Sequence, residues 1–224
     1  MNKQTKEKKP IAFFTKAYWQ EYKAKEVILN LLIYLSVFFT FFLIDFATKE
    51  LLFRWSEYDV AGNKFVADST VIYQSKLIGV RSLLHRGTTL ELGLSIPGLH
   101  TISFIIIIFT LTFSALVKDK TYRVVIPAFA LIASGAMGNM VDRFLPFKGV
   151  RDIIFLPWHD TGTFNFADIW LVFGGIYAVI SIIFLIIINN KKDSRKSKAN
   201  QEKELEQSVN FESNNSSVMI DPNQ

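Results

Sequence analysis

Cysteine is absent from this sequence, and so are the residue spacings that bind metal ions. The chain of 224 residues contains no Cys, which excludes disulfides, a thiol nucleophile and a thiolate metal site. It has only three His, and it contains neither a His-x-x-x-His spacing nor an Asp-rich ligand cluster. The sequence therefore predicts no bound metal.

The polar surface that a soluble domain of this length needs is also missing. Half of the residues are apolar, 21 are Phe, and the mean hydropathy is +0.26. Four stretches nearly free of charge, each close to the roughly 20 residues that cross a bilayer as a helix, occupy residues 27–44, 99–117, 124–141 and 169–188. As buried core helices they would leave too little polar surface, and the first follows a hydrophilic head without a signal cleavage pattern. We therefore predict an integral membrane protein, mainly α, with four transmembrane helices.

Positive charge is scarce in two of the segments that connect these stretches. Residues 1–26, residues 118–123 and the residues after 190 hold 16 of the 25 Lys and Arg against 10 acids, a net charge of +6, whereas the rest of the chain carries −1. Because loops rich in Lys and Arg stay on the cytoplasmic side, both termini are predicted to be cytoplasmic. Residues 50–98 and 142–167 are then expected at the outer face.

The sequence divides into three parts. Residues 1–26 form a basic and aromatic head, which is either a solvated flank or a segment lying on the inner membrane surface. Residues 27–188 form the membrane domain, in which residues 50–98 combine β-branched runs with glycines and the turn signal Pro97–Gly98. These features predict a small extracellular β-subdomain between the first and second helices. The Ser/Asn-rich tail, residues 189–224, is predicted to be disordered.

Acidic side chains are few near the membrane, and ionisable groups at membrane depth indicate function. The five acids expected at the outer face are Asp45, Asp142, Asp152, Asp160 and Asp168. Asp45 and Lys49 are four residues apart and share a helical face. They form either an ion pair that ends the first helix or a pair that holds a substrate or a neighbouring loop.

Asparagine and aspartate recur three residues apart at two helix ends. Asn139 and Asp142, followed by Arg143, end the third span, and Asn165 and Asp168 begin the fourth. Each pair shares a helical face. Small residues every four positions in the third span, Ala130, Ser134 and Gly138, predict close helix packing in lipid.

Asp152 lies within the short apolar run 149–154, which indicates a strand or a buried turn rather than a solvated loop. Asp152 and Asp168 can therefore converge at the membrane surface. Two carboxyl groups that share a site do not both ionise easily, and such a pair can activate water against a peptide carbonyl. From spacing alone the alternative stays open that Asp168 merely caps the fourth helix.

Four sequence blocks lie at the predicted outer ends of the helices: IDFATK at 44–49, GNMVDR at 138–143, GVRDII at 149–154 and FNFADIW at 164–170. In order and approximate spacing, over residues 27–188, they resemble the signal peptidase II family of lipoprotein signal peptidases. The resemblance implies a membrane aspartic endopeptidase with four transmembrane helices, in which Asp152 and Asp168 are catalytic. It also implies substrate-binding or site-shaping roles for Asp45, Lys49, His85, Gly87, Asn139, Asp142, Arg143, Asn165 and Ala167.

The implied reaction removes the signal peptide from a diacylglyceryl-modified prolipoprotein and cuts just before the lipidated Cys of that substrate. The partners implied are lipid-modified prolipoproteins and membrane phospholipids, without nucleic acid. No cofactor is needed, and the enzyme is expected to be a monomer in the bacterial cell membrane with its active site at the outer face.

The sequence departs from the family pattern at several positions. His85 precedes Arg86 and Gly87 where the family has Asn-x-Gly, and Arg151 stands where Val usually precedes the first catalytic Asp. Ile153 and Ile169 replace the usual Phe and Ser. Asp68 lies in an Ala-Asp-Ser sequence that is similar to the family's second catalytic block. It has neither an Asn three residues earlier nor a following membrane span, and it is interpreted as a surface residue of the β-subdomain.

Two other functions compete with the peptidase. A small transporter or non-catalytic membrane factor could use intramembrane Asp and Asn residues, and it would predict discontinuous helices or repeated halves. A membrane anchor with a nucleic-acid-binding tail is disfavoured because acids cancel much of the charge of the tail. Other intramembrane proteases need a His-Glu-x-x-His or Gly-x-Ser-x-Gly motif, and neither occurs in this sequence.

Overall fold

Four long helices account for most of the described chain. The structure is a computed structural model that describes residues 24–56, 65–86 and 95–218, with side chains up to residue 203. The helices are α1 (Ala24–Leu52), α2 (Ile96–Ala115), α3 (Ile126–Phe144) and α4 (Phe166–Val218), and a 3-10 helix, Lys120–Val125, precedes α3. The described residues up to Val179 form one compact unit, and those from Ile180 to Val218 form a second.

All four predicted transmembrane helices are confirmed. The segments long and apolar enough to cross a membrane are Ala24–Leu52, Ile96–Ala115, Lys120–Phe144 and Phe166–Lys203. The predicted turn at Pro97–Gly98 is wrong, because both residues lie in the first turn of α2. Ser95 caps that helix, and Pro is accommodated at its start since the first backbone N–H groups need no partner within the helix.

Helix α3 forms the core of the bundle. Within its most apolar 18-residue stretch 61% of the residues are buried, against 17% for α1 and α2, and α1 and α2 both pack against it. Small residues allow this packing. A Cβ atom on Gly135 would come within 2.4 Å of the carbonyl oxygen of Ala167, at the start of α4. The small-residue face of α3 thus lets the first turn of α4 approach closely, as the sequence predicts.

A four-stranded antiparallel sheet accompanies the helices, in the order β1-β2-β3-β4. Its strands are β1 (Tyr73–Gln74), β2 (Gly79–His85), β3 (Val150–Phe155) and β4 (Thr163–Phe164). The first two come from the segment between α1 and α2, as predicted, and the other two from the segment between α3 and α4. Two strands alone are barely stable in water, and the fully buried β3 completes a layer that the first segment could not form by itself.

The C-terminal residues differ from the sequence prediction of disorder. Helix α4 continues to Val218, and the side chains of residues 191–203 are exposed. The segment 191–218 has no Gly or Pro and is rich in Lys and Glu at its start, so that helix propensity sustains the helix although the side chains described there are exposed. The head up to residue 23 and Gly87 lie outside the described residues, and the cytoplasmic location of the termini stays a prediction.

Candidate functional site

Asp152 and Asp168 are brought to the same place by the pairing of two short strands. Asp152 is the third residue of β3 and is 4% exposed. Strand β3 pairs with β4, with Ile154 opposite Phe164, and β4 leads directly into α4, whose first turn carries Asp168. The predicted convergence of a carboxylate from the 149–154 run with one from a helix start is therefore what the fold provides.

Two asparagine side chains connect the carboxylates. The Nδ2 atom of Asn165 donates to Asp152 Oδ1 at 2.8 Å and to Asn139 Oδ1 at 3.1 Å. The Nδ2 atom of Asn139 donates to Asp168 Oδ1 at 2.8 Å. The backbone N–H of Asn165 also donates to Asp168 Oδ2 at 3.2 Å, and the backbone N–H of Asp168 donates back to Asn165 Oδ1 at 3.0 Å. Asn165 and Asp168 thus cap the start of α4 reciprocally, and the two asparagine amides connect Asp168 to Asp152.

The electrostatic environment favours the protonated form of Asp152. Burial, followed by the nearby charge of Asp168, raises the pKa of Asp152 to about 8, although the hydrogen bond from Asn165 and the charge of Lys49 act in the opposite direction. At neutral pH Asp152 therefore holds a proton. A protonated carboxyl beside a second acid is the arrangement that supports proton transfer to and from a reacting group.

A buried ionic network lies behind the two acids. Lys49 is 1% exposed, and its Nζ atom lies 2.8 Å from Asp45 Oδ2, 3.2 Å from Asp142 Oδ2 and 3.4 Å from Asn139 Oδ1. The side chains of Asp45 and Asp142 in turn accept hydrogen bonds from backbone N–H groups of Ala167, at 2.7 Å, and Arg151, at 3.0 Å.

This network anchors the chain at two equivalent positions. Ala167 immediately precedes Asp168, and Arg151 immediately precedes Asp152. Each acid of the pair therefore follows a residue whose backbone N–H is fixed by a buried carboxylate, and Lys49 lies between those two carboxylates. An ion pair at the end of the first helix was one of the two predictions for Asp45 and Lys49. The ion pair is present, but it does not end the helix, which continues to Leu52, and both residues are buried. Asp45 also holds the neighbouring segment through the backbone N–H of Ala167.

Arg151 and Glu50 belong to the network, although the sequence did not single them out as site residues. The Nε and Nη2 atoms of Arg151 donate to Asp142 Oδ1 at 3.1 and 2.8 Å, and Nη1 donates to Glu50 Oε1 at 2.7 Å. The signal that could have found them is a charged residue within the apolar run 149–154, because a buried charge needs a partner.

Three further residues singled out in the sequence, Arg143, His85 and Asp160, have contacts outside the ionic network. Arg143 donates from Nη1 to the backbone oxygen of Asn139 at 3.0 Å. His85 ends β2 opposite Val150, at the start of the strand that carries Asp152. Asp160, one of the five acids expected at this face, instead forms an exposed ion pair with Arg81 at 2.6 Å.

Two other sequence predictions concern the surroundings of the site. Asp68 accepts hydrogen bonds from Thr70, which lowers its pKa, and it takes no part in the cluster, as expected of a surface residue. In the part of the chain that the structure describes, no three His, Cys, Asp or Glu residues are grouped so as to hold a metal ion.

Comparison with known proteins gives one family. A family model described as Signal peptidase (SPase) II matches residues 37–184. The lipoprotein signal peptidase of Pelagibacter ubique (strain HTCC1062) is 31% identical over 178 residues, which cover 77% of this chain and 96% of that protein. The lipoprotein signal peptidase of Borrelia turicatae (strain 91E135) is 29% identical over 141 residues, covering 58% and 82%.

The fold also matches a solved structure, described as a bacterial membrane enzyme determined by the in meso method at 2.3 Å resolution. The TM-score is 0.51 at 21% sequence identity, over 72% of this chain and 90% of that one. At this level of identity the match concerns the fold alone, and it agrees with four membrane helices accompanied by a small sheet.

Proposed function

We propose a specific reaction for this chain, which belongs to the signal peptidase II family and is therefore a multi-pass membrane protease. The reaction is removal of the signal peptide from diacylglyceryl-modified prolipoproteins, by an aspartic mechanism, with the cut just before the lipidated Cys. The observation that carries the aspartic mechanism is the pair of acids, buried Asp152 and partly buried Asp168, that Asn139 and Asn165 join by hydrogen bonds, with the pKa of Asp152 raised to about 8.

The chemistry follows from the different states of the two acids. Ionised Asp168 takes a proton from a water molecule as the water oxygen attacks the carbonyl carbon of the scissile peptide. The Asp152 carboxyl donates a hydrogen bond to the carbonyl oxygen on which negative charge develops. When the C–N bond breaks, a carboxyl proton passes to the leaving amine.

The proposal places the remaining residues in supporting roles. Asn139 and Asn165 orient the two acids through their amide groups, while Asp45, Lys49 and Asp142 hold the chain that carries them. Arg143, Ala167, His85 and Gly87 are proposed to shape the surrounding substrate site. No metal or organic cofactor takes part in these steps.

Substrate delivery is proposed to occur through the membrane. Large apolar side chains are exposed on the helices, among them Leu32, Phe39, Ile105, Ile108 and Val172, and a bilayer would cover them. The acyl chains and the apolar signal helix of a prolipoprotein would share that bilayer, which orients the scissile bond toward the site. We propose the outer face for the site, both termini in the cytoplasm, and a monomer.

The rival transporter hypothesis receives less support. It predicts discontinuous helices that expose backbone groups to a solute. Within the described ranges three of the four candidate spans are continuous α-helices, and the fourth, Lys120–Phe144, is a 3-10 helix that leads directly into α3. The two acids lie where strands meet a helix start rather than midway along a span.

The test replaces each acid by its uncharged isostere. In proteoliposomes containing a lipidated precursor, Asp152→Asn and Asp168→Asn should each lower kcat at least about 1,000-fold, since each acid takes part directly in proton transfer. The matched control is Asp160→Asn, which removes a carboxylate from an exposed ion pair in the same segment and should leave the rate unchanged. Near-normal cleavage by either dyad variant would overturn the aspartic mechanism.

The position of the cut is tested separately. Mass spectrometry of the products should give a mature fragment that begins with the diacylglyceryl-modified Cys, and the same precursor without lipid should not be processed at a measurable rate. A product that begins at any other residue, or equal processing of the two precursors, would contradict the proposed substrate class.

A further inference from the structure

Arg151 is a buried cation directly beside Asp152. It is 3% exposed and lies in a strand whose neighbouring side chains include Ile153, which is fully buried, and Ile154. A guanidinium in such surroundings is stable only when its donors are paired. Three of its N–H groups are paired, two with Asp142 and one with Glu50.

Asp142 binds Arg151 through both of its oxygens. Oδ1 accepts from the guanidinium, whereas Oδ2 accepts from the backbone N–H of Arg151 at 3.0 Å and also lies 3.2 Å from Lys49. The side chain and the main chain of one residue are thus held by one buried carboxylate on α3. Because the next residue is Asp152, this attachment fixes the point at which β3 delivers its carboxyl group to Asn165.

Glu50 adds an attachment to a third element. Its side chain is 50% exposed and binds Arg151 at 2.7 Å, from the last turn of α1, one residue after Lys49. Arg151 therefore joins β3 to α1 and α3 together. The bidentate, planar geometry of Arg makes these contacts directional, which a Lys or an apolar residue could not reproduce.

We propose that Arg151 is a positioning residue for Asp152: clamped between Asp142 and Glu50, it sets where the Asp152 carboxyl lies relative to Asn165 and Asp168. The inference rests on the proposed function, in which Asp152 is one of the two acids. Arg151 then has a function at a position where this chain departs from the usual sequence of its family, which has Val there.

The clamp also affects the charge near Asp152. The charged groups that face Asp152 are Asp168 on α4, Lys49 on α1, and Asp142 and Arg143 on α3. Asp142 is among those that raise the pKa of Asp152, and Arg151 pairs with Asp142. Loss of the guanidinium leaves the negative charge of Asp142 less balanced, so Asp152 should hold its proton to a higher pH.

The experiment compares two arginine variants of the full chain in proteoliposomes with a lipidated precursor. Arg151→Met keeps much of the side-chain volume and removes the clamp. We expect kcat to fall about 10- to 100-fold with KM changed less than about threefold, because misplacement of a reacting group by about 1 Å costs up to about 100-fold in rate. The basic limb of the pH profile should also move upward.

The matched control is Arg81→Met. Arg81 lies in β2 and pairs bidentately with Asp160 at 2.6 and 2.8 Å. Among the described residues it contacts neither the two acids nor their asparagines. This variant should retain the parental kcat and pH profile. A loss of rate in both variants would indicate a general effect of disturbing the sheet and would overturn the positioning role.

Two milder variants keep the inference testable if Arg151→Met does not fold. Arg151→Lys retains the charge but only one directional contact, and it should recover part of the rate and return the pH profile toward that of the parent. Glu50→Gln weakens the outer contact alone and should lower kcat about two- to fivefold, since an exposed ion pair contributes little. Parental kcat and pH profile in both variants, measured per folded enzyme, would overturn the proposal.

Failure of this inference is distinguishable from failure of the proposed function. If Asp152→Asn and Asp168→Asn are inactive while the Arg151 variants are normal, the aspartic mechanism stands and the clamp has no positioning role. If the dyad variants remain active, the aspartic mechanism itself is wrong, whatever the Arg151 variants do.

Discussion

The helix bundle buries polar side chains near both of its ends, with different results. Near one end Asp45 and Lys49 of α1 connect to α3 and to the start of α4. Near the other end Asn30 of the same helix is fully buried and bonds to the backbone oxygen of Val117 at 2.7 Å. Asn30 and Asp45 are separated along α1 by about 22 Å at about 1.5 Å per residue.

The contacts of Asn30 are simple and complementary. Its Oδ1 atom accepts from Arg123 Nε at 2.8 Å, and Arg123 also pairs with Glu26. One cation faces one anion there, and the buried amide has both a donor and an acceptor contact. This end of the bundle has the polar pairing that a structural contact between helices requires.

The end with the acid pair contains more negative charge than its buried cations balance. Lys49, Arg143 and Arg151 lie among Asp45, Asp142, Glu50 and the two candidate catalytic acids. Burial, followed by the charge of Asp168, raises the pKa of Asp152 there. The comparison teaches that burial of polar groups does not itself mark a site. A site is instead indicated by carboxyl groups that compete for the same few hydrogen-bond donors, because such groups tend to differ in protonation state.

Substitution of Gly138, which lies next to the buried ionic network, should have the largest effect at the end of the bundle that holds the acid pair. A Cβ atom at this position would come within 2.4 Å of Asp45 Oδ2 and 3.1 Å of the Ala167 side chain. Gly138→Ala should therefore displace the carboxylate that holds the backbone N–H of Ala167, and kcat should fall about 100-fold, as expected for misplaced reacting groups. The rate of cleavage of a lipidated precursor per folded enzyme measures this effect.

A matched control exists in the same bundle. Gly175, in α4, has no atom within 4 Å of an added Cβ, so Gly175→Ala should leave the rate unchanged. If Gly138→Ala cleaved at the parental rate, the site would tolerate displacement of Asp45, and the network would have no role in holding the acids.

The pH dependence should give the next largest effect. With the pKa of Asp152 raised to about 8 by burial and by Asp168, kcat should fall about tenfold per pH unit above about pH 8, as the required proton is lost. Rates at saturating precursor between pH 5 and 10 measure this. A flat profile to pH 9.5 would mean that Asp152 is not the proton donor.

The same shift has a consequence for stability, and the sign can be worked out. The carboxyl binds its proton more tightly in the folded protein than at its ordinary pKa of 3.8. Its contribution to stability is therefore complete below about pH 4 and is lost as the pH rises through about 8. Thermal inactivation of the parent should become easier between about pH 4 and 8, and Asp152→Asn should show a smaller change over that interval.

Much of the fold could be predicted from the sequence because the bilayer constrains it. Four apolar stretches have few alternatives to membrane helices, and the small residues Ala130, Ser134 and Gly138 identify the helix at the core. The pairing of β2 with β3 could not be predicted, since it joins segments that are about 70 residues apart in the chain. The composition of the tail predicted disorder, whereas local helix propensity extends α4 to Val218.

The candidate site was predictable in part. The repeated Asn-x-x-Asp spacing and the block around Asp152 identified the acids and asparagines that the fold brings together. The connections behind them were not predictable, because they depend on which backbone N–H each carboxylate meets. Asp45 binds Ala167 across 122 residues of sequence, and Arg151 was noted only as a departure from a pattern although it binds two acids.

The smallest effect on the reaction should come from Asn30, at the other end of the bundle. Asn30→Ala removes the donor to the Val117 oxygen and the acceptor for Arg123, and it should lower stability by about 1–3 kcal/mol, the usual cost of leaving buried polar groups unpaired. Cleavage per folded enzyme should stay within about twofold of the parent, because the hydrogen bonds of Asn30 go to Val117 and Arg123 and not to the acid pair.

Thermal inactivation of the proteoliposome-bound enzyme and its initial rate below the transition separate these two effects. Thr40→Ala is a suitable control, since the exposed Thr40 hydroxyl donates to the backbone oxygen of Ser36 in its own helix, and the substitution should change neither quantity. A large loss of kcat in folded Asn30→Ala would mean that the two ends of the bundle are coupled. The hydrogen bonds of Asn30 would then affect catalysis, and its end of the bundle could no longer be described as purely structural.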